Sequence, residues 1–304
     1  MVIFKPEEIG MINFLKHKQI DKKKWDLCIS NSFNGLVYAQ SWYLDIVSPG
    51  WEALIENDYE SVMPLTYVRK YLFHCLVRPN FSQQLGVFSI NPISQEKIRS
   101  ILHSIPTTFV KSDYNLNSKN EASNISGITY LNNYELNISS SYQDIYKYYN
   151  ENTCRNLKKA LHASIKPDVM NDPESFLKLF KIHSQLDPPE SVLMQLKSIL
   201  EHSISNNCGE IIFVKNAFGQ VIAGAFFLKA PGRIIYLISF NSDEGQERSA
   251  MFLIIDDIVK KYAQQPIILD FEGSMIPGIA RFFAGFGAQI VTYPRYKRSM
   301  IPFF

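Results

Sequence analysis

The sequence predicts an α/β protein whose strands form mixed sheets. Hydrophobic residues make up 46% of the 304 residues and charged residues 20%, which is typical of a globular chain with a large core. Apolar runs of strand length alternate with segments whose apolar residues follow the spacing of an amphipathic helix. Turn-forming Gly, Pro, Asn and Asp residues separate these segments. Together these observations indicate a fold in which helices cover sheets.

The first half of the chain is predicted to be rich in strands. Asp58-Tyr59-Glu60 separates two apolar segments and predicts a hairpin between them. A Ser at position 94 is placed to cap a helix. Strands are predicted over residues 51–57, 61–69, 71–77, 107–113 and 128–138. Helices are predicted over residues 21–30, 38–47 and 94–104.

The second half begins with consecutive helices and then alternates. Pro231-Gly232 predicts a second hairpin. Helices are predicted over residues 142–149, 153–163, 173–185, 192–203 and 249–262, and a short one after Met275. Strands are predicted over residues 210–215, 221–229, 233–239 and 289–293, and in a run that starts at Ile267. The change of pattern predicts two domains, 1–140 and 141–304.

Charge and cysteine usage exclude several classes of function. The net charge is +2, so no overall field would recruit nucleic acid or an anionic membrane. The four cysteines match no zinc or disulfide pattern, so no metal is predicted. The first residues lack the basic start and apolar core of a signal peptide, and no apolar run is long enough to span a bilayer. We expect a cytoplasmic protein.

Two carboxylates near the end of the predicted strand at Ile267 are the leading catalytic candidates. Asp270 and Glu272 are two residues apart, so on a strand they would share a face. Such a carboxylate acts as a general base toward an amine that attacks an acyl carbon. The alternative is structural: one carboxylate caps the following helix and the other pairs with Arg281 or a nearby Lys. Ser274 is read as a helix cap rather than a nucleophile.

A basic helical face is the leading candidate for substrate binding. Arg155, Lys158, Lys159 and His162 recur at helical spacing and lie opposite apolar positions. A diphosphate-bearing substrate or a tRNA backbone would suit this face. A solvated surface is the alternative.

Polar and aromatic residues elsewhere are weaker candidates for substrate binding. Gln83 and Gln84 lie in a predicted loop, where their amides would recognise a peptide or a sugar. Tyr293 and Arg295 lie near the last strand, beside further basic residues. Loop polarity and core packing are the alternatives for these residues.

Three segments resemble the GNAT superfamily of N-acyltransferases, and more narrowly its FemAB-like branch, in which two GNAT-like domains lie in tandem. The segment 152–160 is similar to the basic helix that opens the second domain, 221–241 to the central hairpin, and 269–288 to the closing strand and helix. The resemblance implies tandem GNAT-like domains. It also implies an acyl- or aminoacyl-transferase acting on a small-molecule or peptide-like amine, with acyl-CoA or aminoacyl-tRNA as donor.

The resemblance implies that residues Gly245, Arg248 and Ser249 bind the cofactor. They occupy the position of the loop whose backbone N–H groups hold the pyrophosphate of coenzyme A. The two spaced glycines of that loop are missing here, and Asp243 and Glu244 would repel phosphate. This departure argues against coenzyme A and leaves aminoacyl-tRNA as a donor. A non-catalytic binding protein on the same scaffold and a coenzyme A-dependent N-acetyltransferase remain the alternatives.

Overall fold

The computed structural model describes residues 10–70, 72–163, 165–184, 188–273 and 275–300. The start of the chain and Ser274, both of which carried predictions, lie outside the described residues. The chain forms two compact units, one of residues 1–131 with 292–304 and the other of residues 132–291. A division near residue 140 stays a prediction. Across the ranges described, no helix is long and apolar enough to cross a membrane.

Nine of the ten α-helices in the described ranges agree with predicted ones. The ten are α1 (Lys22–Asn31), α2 (Ser41–Val47), α3 (Gln95–His103), α4 (Tyr142–Tyr146), α5 (Glu151–His162), α6 (Pro173–His183), α7 (Glu190–Ser205), α8 (Asp243–Glu247), α9 (Ala250–Tyr262) and α10 (Pro277–Ala284). The short helix α8 was not predicted. Helix starts follow from local capping. Asp21 accepts hydrogen bonds from the backbone N–H groups of Lys23 and Lys24 at 3.0 and 3.1 Å. Asp172 caps α6 in the same way, with a proline in its first turn.

The observed strands include three that the sequence did not predict. They are β1 (Ile12–Leu15), β2 (Glu52–Glu56), β3 (Ser61–Leu65), β4 (Tyr67–Lys70), β5 (Phe73–Val77), β6 (Phe88–Ser89), β7 (Phe109–Asn115), β8 (Ile128–Asn137), β9 (Lys166–Val169), β10 (Gly209–Lys215), β11 (Val221–Ala230), β12 (Arg233–Asn241), β13 (Ile268–Asp270) and β14 (Gln289–Ser299). The unpredicted strands are β1, β6 and β9, of which β9 is polar and contains Pro167. It is an edge strand that pairs only with β10, a position that tolerates proline.

The first unit contains two groups of paired strands. One sheet has the order β1-β2-β3-β6. In the other group β4 pairs antiparallel with β5, β5 parallel with β7, and β7 antiparallel with the C-terminal part of β14. Aromatic side chains fill the core of this unit, and Trp25, Trp51, Tyr43 and Tyr114 are fully buried.

The second unit is organised around strands in the order β8-β13-β12-β11-β10-β9. The pairing of β12 with β13 is parallel, and the other pairings are antiparallel. A two-residue turn, Pro231-Gly232, joins β11 to β12, and Gly232 adopts a φ of 69° that favours glycine. Helix α9 and the phenyl rings of Phe227 and Phe271 belong to one buried cluster. This arrangement brings the end of β13 beside the middle of β12.

Candidate functional site

A pocket of about 670 Å³ lies in the second unit, beside the C-terminal half of β12. Its size is within the range of about 300–1,000 Å³ that small-molecule sites occupy. The rest of the lining comes from Gln246 of α8, from Ser249 and the first turn of α9, from the residues after β13, and from α10. A pocket at the carboxyl ends of neighbouring strands is the usual place for a ligand in an α/β fold.

The pocket exists because β12 and β13 separate. They pair only at Arg233, Ile234 and Ile235 among the described residues, and β12 then continues to Asn241. The register between β11 and β12 shifts where the strands separate. Phe227 pairs with Tyr236 but Phe226 pairs with Ile238, so Leu237 is the extra residue of a β-bulge. The backbone of Leu237 therefore lies outside the regular pairing of β12 with β11, at the wall of the pocket.

Phenyl rings form the opposite wall. Phe271 and Phe283 stack with their ring centroids 4.8 Å apart, and Phe252 meets Phe282 edge to face at the same separation. The ring of Tyr236 on β12 lies 6.0 Å from that of Phe283. Burial raises the pKa of Tyr236 to about 12, so its hydroxyl stays protonated and lies 2.5 Å from the hydroxyl oxygen of Ser239. The wall is largely apolar.

The structure separates the two predicted catalytic carboxylates. Strand β13 ends at Asp270, and Glu272 adopts a φ of 58°, a left-handed conformation that is uncommon for a residue with a side chain. The expectation that both lie on one strand face is therefore wrong, because the chain turns between them. Glu272 lines the pocket, whereas Asp270 is only 2% exposed and is absent from the lining.

Asp270 belongs to a buried charge cluster with Arg233 and Glu135. A single terminal nitrogen of Arg233, Nη1, lies 2.6 Å from Asp270 and 2.8 Å from Glu135. Burial raises the pKa of Asp270, and the charge of Glu135 adds to this while Arg233 opposes it. The ion-pair partner expected for these carboxylates was Arg281 or a lysine, and for Asp270 the structure supplies Arg233 instead.

Asp270 also contacts the turn that carries Glu272. The backbone N–H of Glu272 donates to the Oδ1 atom of Asp270 at 2.9 Å, and the backbone N–H of Tyr134 donates to the carbonyl oxygen of Glu272 at 3.3 Å. These bonds hold the residue in its left-handed conformation. Asp270 is thus placed to position Glu272.

Of the three residues assigned to cofactor binding, Gly245 lies within α8, and Arg248 and Ser249 lie between α8 and α9. Ser249 lines the pocket and donates to Asn156 of α5 at 2.8 Å. Gly245 is buried, and a Cβ there would lie 2.3 Å from the carbonyl oxygen of Ile222. Arg248 pairs with Glu244 at 2.8 Å. Only Ser249 of the three therefore reaches this pocket.

The segment after β12 does not fit the pyrophosphate of coenzyme A. Asp243 and Glu244 line a second pocket of about 730 Å³, where the phosphate-binding loop is expected. Carboxylates repel phosphate, and the guanidinium of Arg248 is engaged by Glu244. In the ranges described, no group of His, Cys, Asp and Glu residues is arranged to hold a metal ion.

The predicted basic face is present on α5. Leu157 and Ala160 are buried, while Arg155, Lys158 and Lys159 point to solvent. Arg155 donates to Asn152 at 2.9 Å within the same helix. The surface is exposed and positive, and the role assigned to it stays a prediction.

The remaining candidates lie in the first unit and are held by internal contacts. Gln84 donates to Gln83 at 2.7 Å, and its oxygen accepts from the backbone N–H of Ser118. Arg295 forms two hydrogen bonds of 2.6 Å with Asp113. Tyr293 is buried. Their assignment to substrate binding stays a prediction.

Most of the residues that line the pocket carry no functional signal in the sequence. The sequence pattern assigns Ser239 and Asn241 to a hairpin without a function, and Phe282 and Phe283 to a short helix. Arg233 was not singled out. Its signal was a charged residue directly after a tight turn, at the start of an otherwise apolar strand.

Comparison with solved structures defines the class of fold. No protein-family model matches this sequence, and no curated protein matches it. The crystal structure of FemX aligns with a TM-score of 0.65 and 12% identity, over 93% of this chain and 96% of that chain. The fold is therefore the α/β fold that the FemAB-like resemblance predicted.

Two further structures share this fold. L-PGS from Bacillus licheniformis aligns with a TM-score of 0.56 and 11% identity, over 95% of this chain and 94% of that chain. The C-terminal domain of a putative lysylphosphatidylglycerol synthetase from Agrobacterium fabrum aligns with a TM-score of 0.56 and 8% identity, over 93% and 92% of the two chains. At these identities the likeness establishes the fold.

Proposed function

We propose that this protein is an acyl- or aminoacyl-transferase that acts on a small-molecule or peptide-like amine. The observation that carries the proposal is the gap between β12 and β13, which brings a β-bulge, the carboxylate-bearing residue Glu272 and a pocket to one place. The fold shared with FemX and with a lysylphosphatidylglycerol synthetase domain, whose name denotes a lysyl conjugate, supports aminoacyl transfer.

The reaction joins the acceptor nitrogen to the acyl carbonyl carbon. As that C–N bond forms, the C–O bond of an ester donor or the C–S bond of a thioester donor breaks. Glu272 takes the proton that the amine loses and returns it to the departing oxygen or sulfur, so the carboxylate is regenerated. The position of Glu272 in the pocket lining supports its assignment as the base.

The β-bulge supplies stabilisation for the tetrahedral intermediate. Negative charge develops on the carbonyl oxygen as the amine attacks, and backbone N–H groups fixed in advance stabilise such charge strongly. Leu237 and Ile238 lie where β12 departs from regular pairing and both line the pocket. Their backbone is the proposed oxyanion site.

The donor is proposed to be an aminoacyl ester of tRNA rather than acyl-CoA. Asp243 and Glu244 disfavour a pyrophosphate, whereas the exposed basic face of α5 suits the backbone of a nucleic acid. Arg155, Lys158 and Lys159 would then make phosphate contacts that weaken as salt concentration rises. Replacing Lys158 and Lys159 by Ala should lower the salt dependence of tRNA binding, measured by filter binding over a salt series.

The test of the proposed base compares matched carboxylate variants. Purified protein is incubated with a mixture of labelled aminoacyl-tRNAs and with acyl thioesters, in the presence of a panel of primary amines. Glu272→Gln should lower kcat by at least about 10²-fold, the usual contribution of a general base, and should remove the loss of rate at acidic pH. Glu201→Gln, an exposed position on α7, is the control and should retain the rate.

Two outcomes would contradict the proposal. Full activity in Glu272→Gln would eliminate the proposed base. Absence of transfer from every donor to every amine, in protein that is folded by circular dichroism, would favour the non-catalytic binding protein.

A further inference from the structure

We propose that the pocket beside β12 selects donors whose acyl group carries a bulky apolar chain. This inference rests on the proposed function, since it takes the reacting carbonyl to lie at the β-bulge. In the aminoacyl ester proposed above, the chain would be an apolar amino-acid side chain. A fatty acyl thioester presents the same apolar chemistry to the pocket, and the experiment below distinguishes the two sources.

The first argument is the composition of the walls. Four phenyl rings and the side chains of Met251, Ile276 and Ile279 line the pocket. Aromatic and aliphatic walls favour apolar ligands, because binding removes apolar surface of both partners from water. A small acyl group such as acetyl or glycyl would leave most of this apolar surface exposed to water.

The second argument is the distribution of charge and polarity. Of the described residues that line the pocket, Glu272 alone is charged. The polar residues Ser239, Asn241, Gln246 and Ser249 lie on β12, on α8 and just before α9, whereas Phe271, Phe282 and Phe283 lie after β13 and on α10. A ligand with one polar end and one apolar end matches this separation.

The third argument is the apolar rim. Ile276 is 61% exposed and Ile279 is 41% exposed, and both line the pocket. Met275, beside them in the chain, is 68% exposed. Apolar side chains grouped at the mouth of a pocket mark a place that a ligand covers. An acyl chain running from the bulge to this rim would bury them.

The experiment measures affinity as a function of chain length. S-acyl-N-acetylcysteamine thioesters from acetyl to decanoyl carry no phosphate, and so avoid the acidic segment after β12. Their Kd values by isothermal titration calorimetry should fall by about fourfold for each added methylene until the pocket is filled. Equal affinity across the series would overturn the inference.

A parallel series identifies the source of the chain. Amides of 3′-amino-3′-deoxyadenosine with glycine, leucine and phenylalanine imitate the end of an aminoacyl-tRNA without hydrolysing. Tighter binding of the leucyl and phenylalanyl amides than of the glycyl amide assigns the site to apolar aminoacyl groups. A chain-length dependence confined to the thioesters assigns it to fatty acyl groups.

A plug variant ties the effect to this pocket. Gly278 lines the pocket, and a Cβ there would meet nothing within 4 Å. Gly278→Trp should fill the space without disturbing the core and should remove the preference for long chains. Phe218→Trp places the same side chain at an exposed turn, where Phe218 is 87% exposed, and should keep the preference. Preference retained in folded Gly278→Trp would contradict the assignment.

Failure of this inference can be told apart from failure of the proposed function. Transfer of glycyl or acetyl groups with no preference for longer chains would support the proposed transferase and contradict the apolar selectivity. The opposite result is a binding preference that Gly278→Trp abolishes, without transfer to any amine. It would support the apolar selectivity of the pocket and contradict the proposed transferase.

Discussion

Replacing Arg233 tests the buried charge cluster of the second unit. Arg233→Met keeps much of the apolar stem but removes the cation that contacts Asp270 and Glu135. The side chains of these two carboxylates are only 2% and 15% exposed, so little solvent replaces the lost partner. Removing one partner of a buried ion pair typically costs about 3–5 kcal/mol. This is a large fraction of the roughly 5–15 kcal/mol that stabilises a folded domain.

The cost should grow with pH. Asp270 has a folded pKa raised above its ordinary value of 3.8, so the folded state holds its proton more tightly than the unfolded state. The Asp270 carboxyl therefore contributes to stability at pH values below its ordinary pKa. This contribution is lost as the pH rises through the raised pKa of the folded state. Without Arg233 the pKa of Asp270 rises further. The variant should therefore lie near the wild type in acid and fall well below it at neutral pH.

The assay is urea unfolding at several pH values, with hydrogen exchange of peptides covering residues 132–138 and 268–273 to locate the effect. Asp270→Asn in the Arg233→Met background should recover part of the loss, because it removes one uncompensated carboxylate. A loss below about 1 kcal/mol that does not vary with pH would refute the reasoning, since it would match an exposed ion pair.

Two further predictions concern packing and a surface ion pair. Gly245→Ala should destabilise the protein by about 1–3 kcal/mol, because its Cβ would lie 2.2 Å from the Oδ1 atom of Asn241, whereas Gly278→Ala should be neutral or stabilising. The melting temperatures of the Gly245→Ala and Gly278→Ala variants are compared. Equal shifts would contradict the close approach of Asn241 to Gly245. The hydrogen bonds from Arg295 lower the pKa of Asp113, so this pair stabilises above the ordinary pKa and the benefit is lost as pH falls. Arg295→Gln should cost less than about 1 kcal/mol at neutral pH, because the pair is partly exposed, and the difference should vanish in acid unfolding curves.

Local signals in the sequence predicted most of the elements. Asp21, Ser94 and Asp172 cap helices where their side chains meet the first backbone N–H groups, and Pro231-Gly232 forms the predicted turn. Each of these depends on residues close in sequence. The strand β9 was not predicted, because it is stabilised by pairing with β10 and its own residues are polar.

The candidate site was predicted only in part because its geometry is not local. Glu272 was found, but its separation from Asp270 depends on a left-handed residue stabilised by Asp270 and by the backbone of Tyr134. The partner of Asp270 is 37 residues away in sequence, and the further carboxylate is 98 residues from Arg233. No spacing rule connects residues that are brought together by three neighbouring strands.

The last strand has a consequence for the order of synthesis. Residues 295–299 of β14 pair with β7 of the first unit, so that unit draws on both ends of the sequence. The second unit, residues 132–291, is continuous. A ribosome therefore releases the complete second unit before the first unit has its final strand. Until then β7 lacks this partner along one edge, and an exposed strand edge invites pairing with other chains. During translation the first unit is therefore the one whose strand pairing is completed last.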